Sequence, residues 1–263
     1  MAKREISGMR TVITGASSGI GRALVGELAR HGARCVLVAR RIEKLEETVA
    51  EILAESPEAA VEIVAGDITD AVVRKAAIER CVVVFGGLDA VINNAGIGSF
   101  GRFAESDPAR LRQIMEVNFF APVELIRAAL PALKAGNAPI VVNVGSILGH
   151  RGIPRMHEYC SSKFALQGLC QSLRVEFRPL GIDLLMVSPG TTETEFYDSV
   201  VHGRGEVPWN KGRGVSSATV ARKTVLAIRQ GKREIVPNFS GRLLLWAHKH
   251  APHLVDRFMA PYA

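Results

Sequence analysis

The chain is poor in cysteine, with four in 263 residues at positions 35, 81, 160 and 170, and no two stand at CxxC or zinc-finger spacing. That pattern excludes a disulfide-dense secreted scaffold and offers no metal site, so free thiols in a reducing compartment are expected. Aromatic residues make up only 6%. No basic run is interleaved with them, which argues against a nucleic-acid groove despite a formal charge of +7. Residues Met1 to Arg10 lack the apolar core of a signal peptide. No apolar run approaches the roughly 18 residues that span a bilayer. Internal repeats and Pro/Ser-rich linkers are also missing, so the expectation is one domain over residues 1–263, placed in the cytoplasm.

What is present is an alternation. Short β-branched runs occupy residues 11–14, 35–38, 61–65, 90–92, 140–144, 184–187 and 234–236. The runs at 35–38 and 140–144 are almost wholly apolar, as in strands buried on both faces. Between them lie helical patterns, such as Ile42, Leu45, Val49, Ile52 and Leu53 at three- and four-residue spacing. Asp107-Pro108 reads as a helix cap followed by proline at the first helical position. Alternation at this spacing predicts an α/β fold: a doubly wound, seven-stranded, mostly parallel sheet with helices on both faces. One stretch, 191–217, breaks the rhythm with four glycines and with Phe196, Tyr197 and Trp209; it is expected to be a lid over a substrate.

The first strand runs into Thr14-Gly15-Ala16-Ser17-Ser18-Gly19-Ile20-Gly21. Glycines there permit a tight turn, and the helix that follows points its free N–H groups and partial positive charge at a pyrophosphate. Taken alone the turn is ambiguous, since glycine-rich strand-to-helix turns also occur without nucleotides. The second strand ends in Arg40-Arg41, where an NAD-specific site carries an acid for the ribose 2′-hydroxyl. A guanidinium instead suits a 2′-phosphate, so NADP(H) is the expected cofactor.

Further along, Tyr159 and Lys163 stand one helical turn apart, thirteen residues after Ser146. Hydride transfer to a ketone leaves an alkoxide that needs a proton. A free phenol, with pKa about 10, is a weak donor at neutral pH, and a cation on the same helix face favours its ionised form. A serine hydroxyl can hold the carbonyl oxygen as charge develops on it. Asn118 precedes Pro122 by four residues. The proline ring removes the helical partner of the Asn118 carbonyl, so a kink is expected there. The chemistry these residues allow is nicotinamide-dependent reduction of a small-molecule carbonyl, or the reverse oxidation of a secondary alcohol.

In order, the glycine turn, Asp67 in Gly66-Asp67-Ile68, Asn93-Asn94-Ala95-Gly96, Asn118, Ser146, Tyr159-x-x-x-Lys163 and Pro189-Gly190 span most of residues 8–237. In these seven elements the chain resembles the short-chain dehydrogenase/reductase family, in its short single-domain branch. The resemblance implies a Rossmann fold with catalytic Asn118, Ser146, Tyr159 and Lys163. It implies Asp67 and Ile68 at the adenine, Asn93 to Gly96 beside the adenosine ribose, and Pro189, Gly190, Thr192 and Thr194 at the nicotinamide. Asn118 would hold a water that relays protons to Lys163, and Lys163 would also hold the nicotinamide ribose. Family members pair their long helices, so a homodimer or homotetramer is expected. A redox sensor that binds NADP(H) without turnover, and a sugar-nucleotide epimerase, are the rival readings; the intact four-residue set opposes the first, and the second needs a larger C-terminal domain.

The substrate pocket is expected to include Ile97, Phe100, Phe103, Ile147, Leu148, Ile153 and Pro154, which favour an apolar carbonyl compound. The tail, 239–263, places Leu243, Leu244, Trp246, Leu254, Val255, Phe258 and Met259 among Arg242, Lys249, Arg257 and three histidines. Three readings stay open for it: packing over the substrate pocket, an oligomer contact, or peripheral membrane contact.

Overall fold

The computed structural model describes residues 3–193 and 214–262. Six strands alternate with helices through the first two thirds of the chain: β1 (Arg10–Thr14), β2 (Arg34–Ala39), β3 (Ala60–Ala65), β4 (Ala90–Asn93), β5 (Ile140–Val144) and β6 (Asp183–Val187). The helices are α1 (Gly19–Arg30), α2 (Ile42–Glu55), α3 (Ala71–Phe85), α4 (Pro108–Met115), α5 (Ala121–Lys134) and α6 (His157–Glu176). A short ribbon pairs β7 (Thr192–Glu193) with β8 (Val215–Ser216), followed by α7 (Ser217–Gln230), β9 (Glu234–Ile235), α8 (Phe239–His250) and α9 (Pro252–Met259).

The large sheet has seven strands in the order β3-β2-β1-β4-β5-β6-β9, and every pairing is parallel. The seven strand-like runs of the sequence correspond to these seven strands. Central strands carry Val, Ile and Leu buried on both faces because helices cover both sides. Alternation along each strand then divides the core in two. Ile13, Leu37, Ile92, Val142 and Leu185 pack with Leu24, Leu28, Val225 and Ile228 of α1 and α7. Val12, Val36, Val91, Val141 and Leu184 pack with Leu125, Leu133, Leu166 and Cys170 of α5 and α6. Truncating a fully buried leucine such as Leu37 or Leu125 to alanine should cost about 2–5 kcal/mol.

Local signals set the element ends. The Asp70 and Asp107 side chains accept hydrogen bonds from Val72 and Ala109 N–H at the starts of α3 and α4. Pro108 occupies the first turn of α4, as the sequence predicts. Strand order reverses between β1 and β4, and in an open parallel sheet a ligand crevice opens at that point beyond the carboxyl ends of the strands.

The kink expected at Asn118 takes a different form. Residues Glu116–Phe120 make one π-helical turn between α4 and α5, in which Ala121 N–H donates to Glu116 C=O. The wider turn absorbs the N–H that Pro122 lacks by slipping the hydrogen-bond register, so the chain passes from α4 to α5 without a break. Of the expected lid, only its base lies within the described residues, as the β7–β8 ribbon; residues 194–213 lie outside them. No helix among the described residues is long and apolar enough to cross a membrane.

Candidate active site

A cavity of about 870 Å³ lies along the carboxyl ends of the strands. One end is formed by Ser17, Ser18, Gly19, Arg40, Arg41, Asp67 and Ile68, the other by Ser146, Tyr159, Lys163, Pro189 and Gly190. Each strand delivers its part at its end: the glycine turn after β1, the arginines after β2, Asp67 after β3, Asn94 after β4, Ser146 after β5, and Pro189 after β6. A parallel sheet does this because all its strands finish on the same edge.

The glycine turn is built for close approach. Gly15 adopts φ +65°, and a Cβ there would lie 2.8 Å from Ala95 Cα. Gly21 does not line the cavity; a Cβ on it would meet Gly15 C=O at 2.1 Å, so it lets α1 tuck beneath the turn. Ser18 precedes α1 with no capping hydrogen bond from its side chain, and Ser17 to Ile20 face the cavity. A helix N-terminus in that state suits an anion. Asn94 acts on the turn itself: its Nδ2 donates to the Thr14 and Gly15 carbonyls at 3.0 and 3.1 Å. Thr14 Oγ1 in turn accepts from the Asn94 and Ala95 N–H groups, both at 3.0 Å.

Arg40 and Arg41 stand beside this turn. Arg41 Nη2 donates to Ser17 Oγ at 3.4 Å, and Arg40 Nη1 lies 4.0 Å from Asp67 Oδ2 with most of its side chain exposed. Asp67 is held by its own turn, accepting from Thr69 N–H at 2.9 Å and Thr69 Oγ1 at 2.8 Å.

The other end is buried and tightly cross-linked. Tyr159 and Lys163 lie on one face of α6, with Lys163 Nζ 5.7 Å from the Tyr159 ring centre. Nζ donates to Val144 C=O at 3.1 Å. Burial lowers the Lys163 pKa from 10.5 to about 8, because the charged ammonium is disfavoured away from water. Ser146 Oγ accepts from Leu148 N–H at 3.1 Å and donates to Pro189 C=O at 3.5 Å, which fixes it between two loops. The Asn118 side chain is fully engaged: Oδ1 accepts from Ile97 N–H, and Nδ2 donates to Ile97 C=O and to Ser162 Oγ, all at 2.9 Å. Ser162 then donates to Tyr159 C=O at 2.7 Å. The π turn is thus tied to the Tyr159 helix through one buried asparagine.

Several positioning contacts carry no sequence motif. The Arg110 guanidinium of α4 donates from Nε to both Glu158 oxygens, at 3.0 and 2.8 Å, next to Tyr159. His150 Nε2 lies 3.0 Å from Ser188 Oγ and 3.1 Å from Glu234 Oε1, anchoring the loop that follows Ser146. The His150 contact holds the Glu234 carboxyl below the ordinary range. Asn238 accepts from Gly190 N–H at 2.9 Å and donates to Thr191 C=O at 2.8 Å, so it clamps the Pro189–Gly190 loop to the start of α8. Each rests on contacts between residues far apart in the chain, which no local spacing announces.

Of the expected cofactor residues, all but Gly21, Asn93 and Thr194 line the cavity; Asn93 is buried in the sheet, donating from Nδ2 to Asn143 Oδ1 at 2.8 Å, and Thr194 lies outside the described residues. Of the expected substrate residues, Ile97, Ile147, Leu148 and Ile153 line it. Phe103 does not: it is 79% exposed and sits edge-on to His157. Phe100 and Cys160 are buried in a small cluster with Met156 and Tyr159. Leu244 of α8 and Met259 of α9 also face the cavity, so the tail packs over it. Arg151 latches that tail, donating to Asp256 Oδ1 at 2.5 Å and lying 3.4 Å from His248 Nδ1.

Comparison with known proteins agrees with this geometry. The chain is 33% identical over 262 residues to 11-beta-hydroxysteroid dehydrogenase A of Sesamum indicum, covering 96% of this chain and 74% of that one. Its fold matches a short chain dehydrogenase/reductase from Burkholderia phymatum in complex with NAD, with TM-score 0.86, 24% identity, and coverage of 95% and 96%. It also matches an alcohol dehydrogenase from Thermococcus sibiricus complexed with 5-hydroxy-NADP, with TM-score 0.76, 27% identity, and coverage of 86% and 94%. A family model for short chain dehydrogenases matches residues 10–205, and the chain belongs to that family of oxidoreductases.

Proposed function

We propose that this protein is an NADP(H)-dependent carbonyl reductase or alcohol dehydrogenase acting on an apolar small molecule. The observation that carries the proposal is the single cavity with Arg40 and Arg41 at one end and Ser146, Tyr159 and Lys163 at the other. The bound dinucleotide would supply the hydride. Its fit is supported by the uncapped N-terminus of α1, by the close approach at Gly15, and by two guanidinium groups where a 2′-phosphate would lie. Gly15, Ser17, Ser18, Gly19 and Ile20 would hold the pyrophosphate, Asp67 and Ile68 the adenine, and Pro189, Gly190 and Thr192 the nicotinamide.

In this reading Ser146 Oγ donates to the substrate oxygen and stabilises the charge that develops on it. Tyr159 Oη then donates its proton to the resulting alkoxide, and accepts one in the reverse direction. Lys163, held on the same face of α6, stabilises the phenolate that Tyr159 leaves behind. Asn118 fixes the π turn with its side chain, so its part in proton relay falls to its main-chain carbonyl. Ile147, Leu148, Ile153, Met156, Leu244 and Met259 line the space nearby and favour apolar substrates over sugars.

Exposed Leu111, Phe120 and Phe164, on α4, the π turn and α6, support a homodimer or homotetramer formed through these helices. Light scattering after gel filtration tests that. The reaction is tested by following NADPH oxidation against ketones, aldehydes, quinones and 3-oxoacyl thioesters, with NADH in parallel. NADPH-dependent turnover of apolar carbonyls is expected; NADPH binding without turnover across the panel would overturn the assignment.

A further inference from the structure

The outer face of the tail faces away from the cavity and carries large apolar side chains. Phe239, Leu243 and Trp246 of α8 are 74%, 54% and 62% exposed, and Leu254 and Phe258 of α9 are 58% and 68% exposed. Their spacing, at steps of three and four, places each set on one helix face. A cluster of five such residues within 20 positions is far from the scattered exposure of an ordinary surface.

The charges around this face are of one sign. Arg242, Lys249 and Arg257 are exposed, with His250 and His253 beside them. Arg242 lies over the Phe239 ring at 5.8 Å, and His250 lies against Trp246 at 5.1 Å. The tail contains a single acid, Asp256, and Arg151 already pairs with it. Two copies of this face would bring cation against cation. The surface of α4 to α6 differs: the exposed Arg112, Arg127 and Glu176 of these helices carry both signs, which suits self-association.

We propose that the outer face of α8 and α9 docks on an anionic lipid surface, with the five apolar side chains in the interfacial layer and Arg242, Lys249 and Arg257 at the phosphates. Aromatic and leucine side chains flanked by cations favour that boundary because the apolar atoms leave water while the charges stay hydrated or meet lipid anions. The inner face, with Leu244 and Met259, stays on the cavity. This docking stands apart from the identity of the reaction.

The test is sedimentation of the full chain with vesicles of phosphatidylcholine alone or mixed with phosphatidylserine, at low and high salt. Emission from Trp246, in a Trp209→Phe background, reports its environment. Binding to the mixed vesicles at low salt, with a blue shift, is expected, and it should weaken as salt screens the charges. Arg242→Glu combined with Lys249→Glu, and separately Leu243→Ser combined with Trp246→Ser, should each weaken binding at least tenfold; unchanged melting by circular dichroism shows that the fold survives. No binding to phosphatidylserine vesicles at low salt would overturn the proposal. So would equal binding by the charge-reversed variant. A concentration-dependent dimer that the Leu243→Ser/Trp246→Ser variant dissolves, without vesicle binding by the parent, would reassign the face to a second copy.

Discussion

The two ends of the cavity are built by different means. At the Tyr159 end the polar side chains around the tyrosine are held by buried hydrogen bonds: Asn118 holds Ile97 and Ser162, Ser146 is held between Leu148 and Pro189, and Lys163 reaches Val144. At the Arg40 end the charges are exposed and loosely held, with Arg40 only within 4.0 Å of Asp67. Proton transfer needs atoms placed to a fraction of an ångström, and buried hydrogen bonds give that precision. Choosing between two dinucleotides that differ by a phosphate needs only charge of the right sign, which a solvated arginine provides. The first end should therefore be intolerant of change and the second easily retuned.

The largest effect tests the buried end. Tyr159→Phe should lower kcat by roughly a hundred- to ten-thousandfold, the usual contribution of a general acid, while the NADPH dissociation constant measured by fluorescence titration stays within about twofold. Retention of more than a few per cent of kcat would show that the proton comes from elsewhere.

Lys163 tests whether the buried end is costly as well as exact. With its pKa near 8 in the fold against 10.5 for a free lysine, the unfolded chain binds the proton more tightly than the fold does. The penalty is fully present below the folded value and is relieved as pH rises from about 8 to 10.5, so this group makes stability increase across that window. Lys163→Met should remove about 3 kcal/mol of penalty at neutral pH and flatten the pH dependence of ligand-free unfolding in urea, with activity lost. An unchanged slope relative to the parent would show that the ammonium is better solvated than its burial implies.

Asn118→Ala leaves Ile97 and Ser162 without their partner in the interior. A loss of about 2 kcal/mol in urea unfolding is expected, since unmet buried groups cost roughly 1–3 kcal/mol each and the site can partly relax. The smallest effect lies at the exposed end. Arg40→Asp should weaken NADPH about tenfold, or 1.4 kcal/mol, leave NADH binding unharmed, and shrink in added salt. Equal loss for both dinucleotides in calorimetry would remove the phosphate from the argument.

Much of this was legible in the chain because it depends on local pattern. Runs such as Ile140–Val144 declare a strand buried on both faces, and Tyr159 with Lys163 declares a helix face. The glycine turn announces the close approach that Gly15 and Gly21 make. The π turn was not legible as such: Pro122 signals a missing N–H, but whether the helix kinks or slips register depends on what packs around it. Asn238, Glu158 and His150 were silent because their partners lie 48, 48 and 38 or more residues away. Phe103 misled because apolar character near a pocket does not say which way a side chain turns. The tail held several readings until Leu244 and Met259 were seen on the cavity, with the opposite face bare.

The β7–β8 ribbon has a consequence for how such a protein can change over time. Thr192 pairs with Val215 and Glu193 with Ser216, so the segment between them leaves and returns at one closed base. The Asn238 clamp fixes that base to the strand ends independently of what the segment contains. Closing a chain segment between two fixed ends costs only about 0.6 kcal/mol more for each doubling of its length. Insertions, deletions or grafts between residues 193 and 214 can therefore be sampled without disturbing the hydrogen bonds around Ser146, Tyr159 and Lys163. Selection can then vary the sequence of that segment while Ser146, Tyr159 and Lys163 are inherited unchanged.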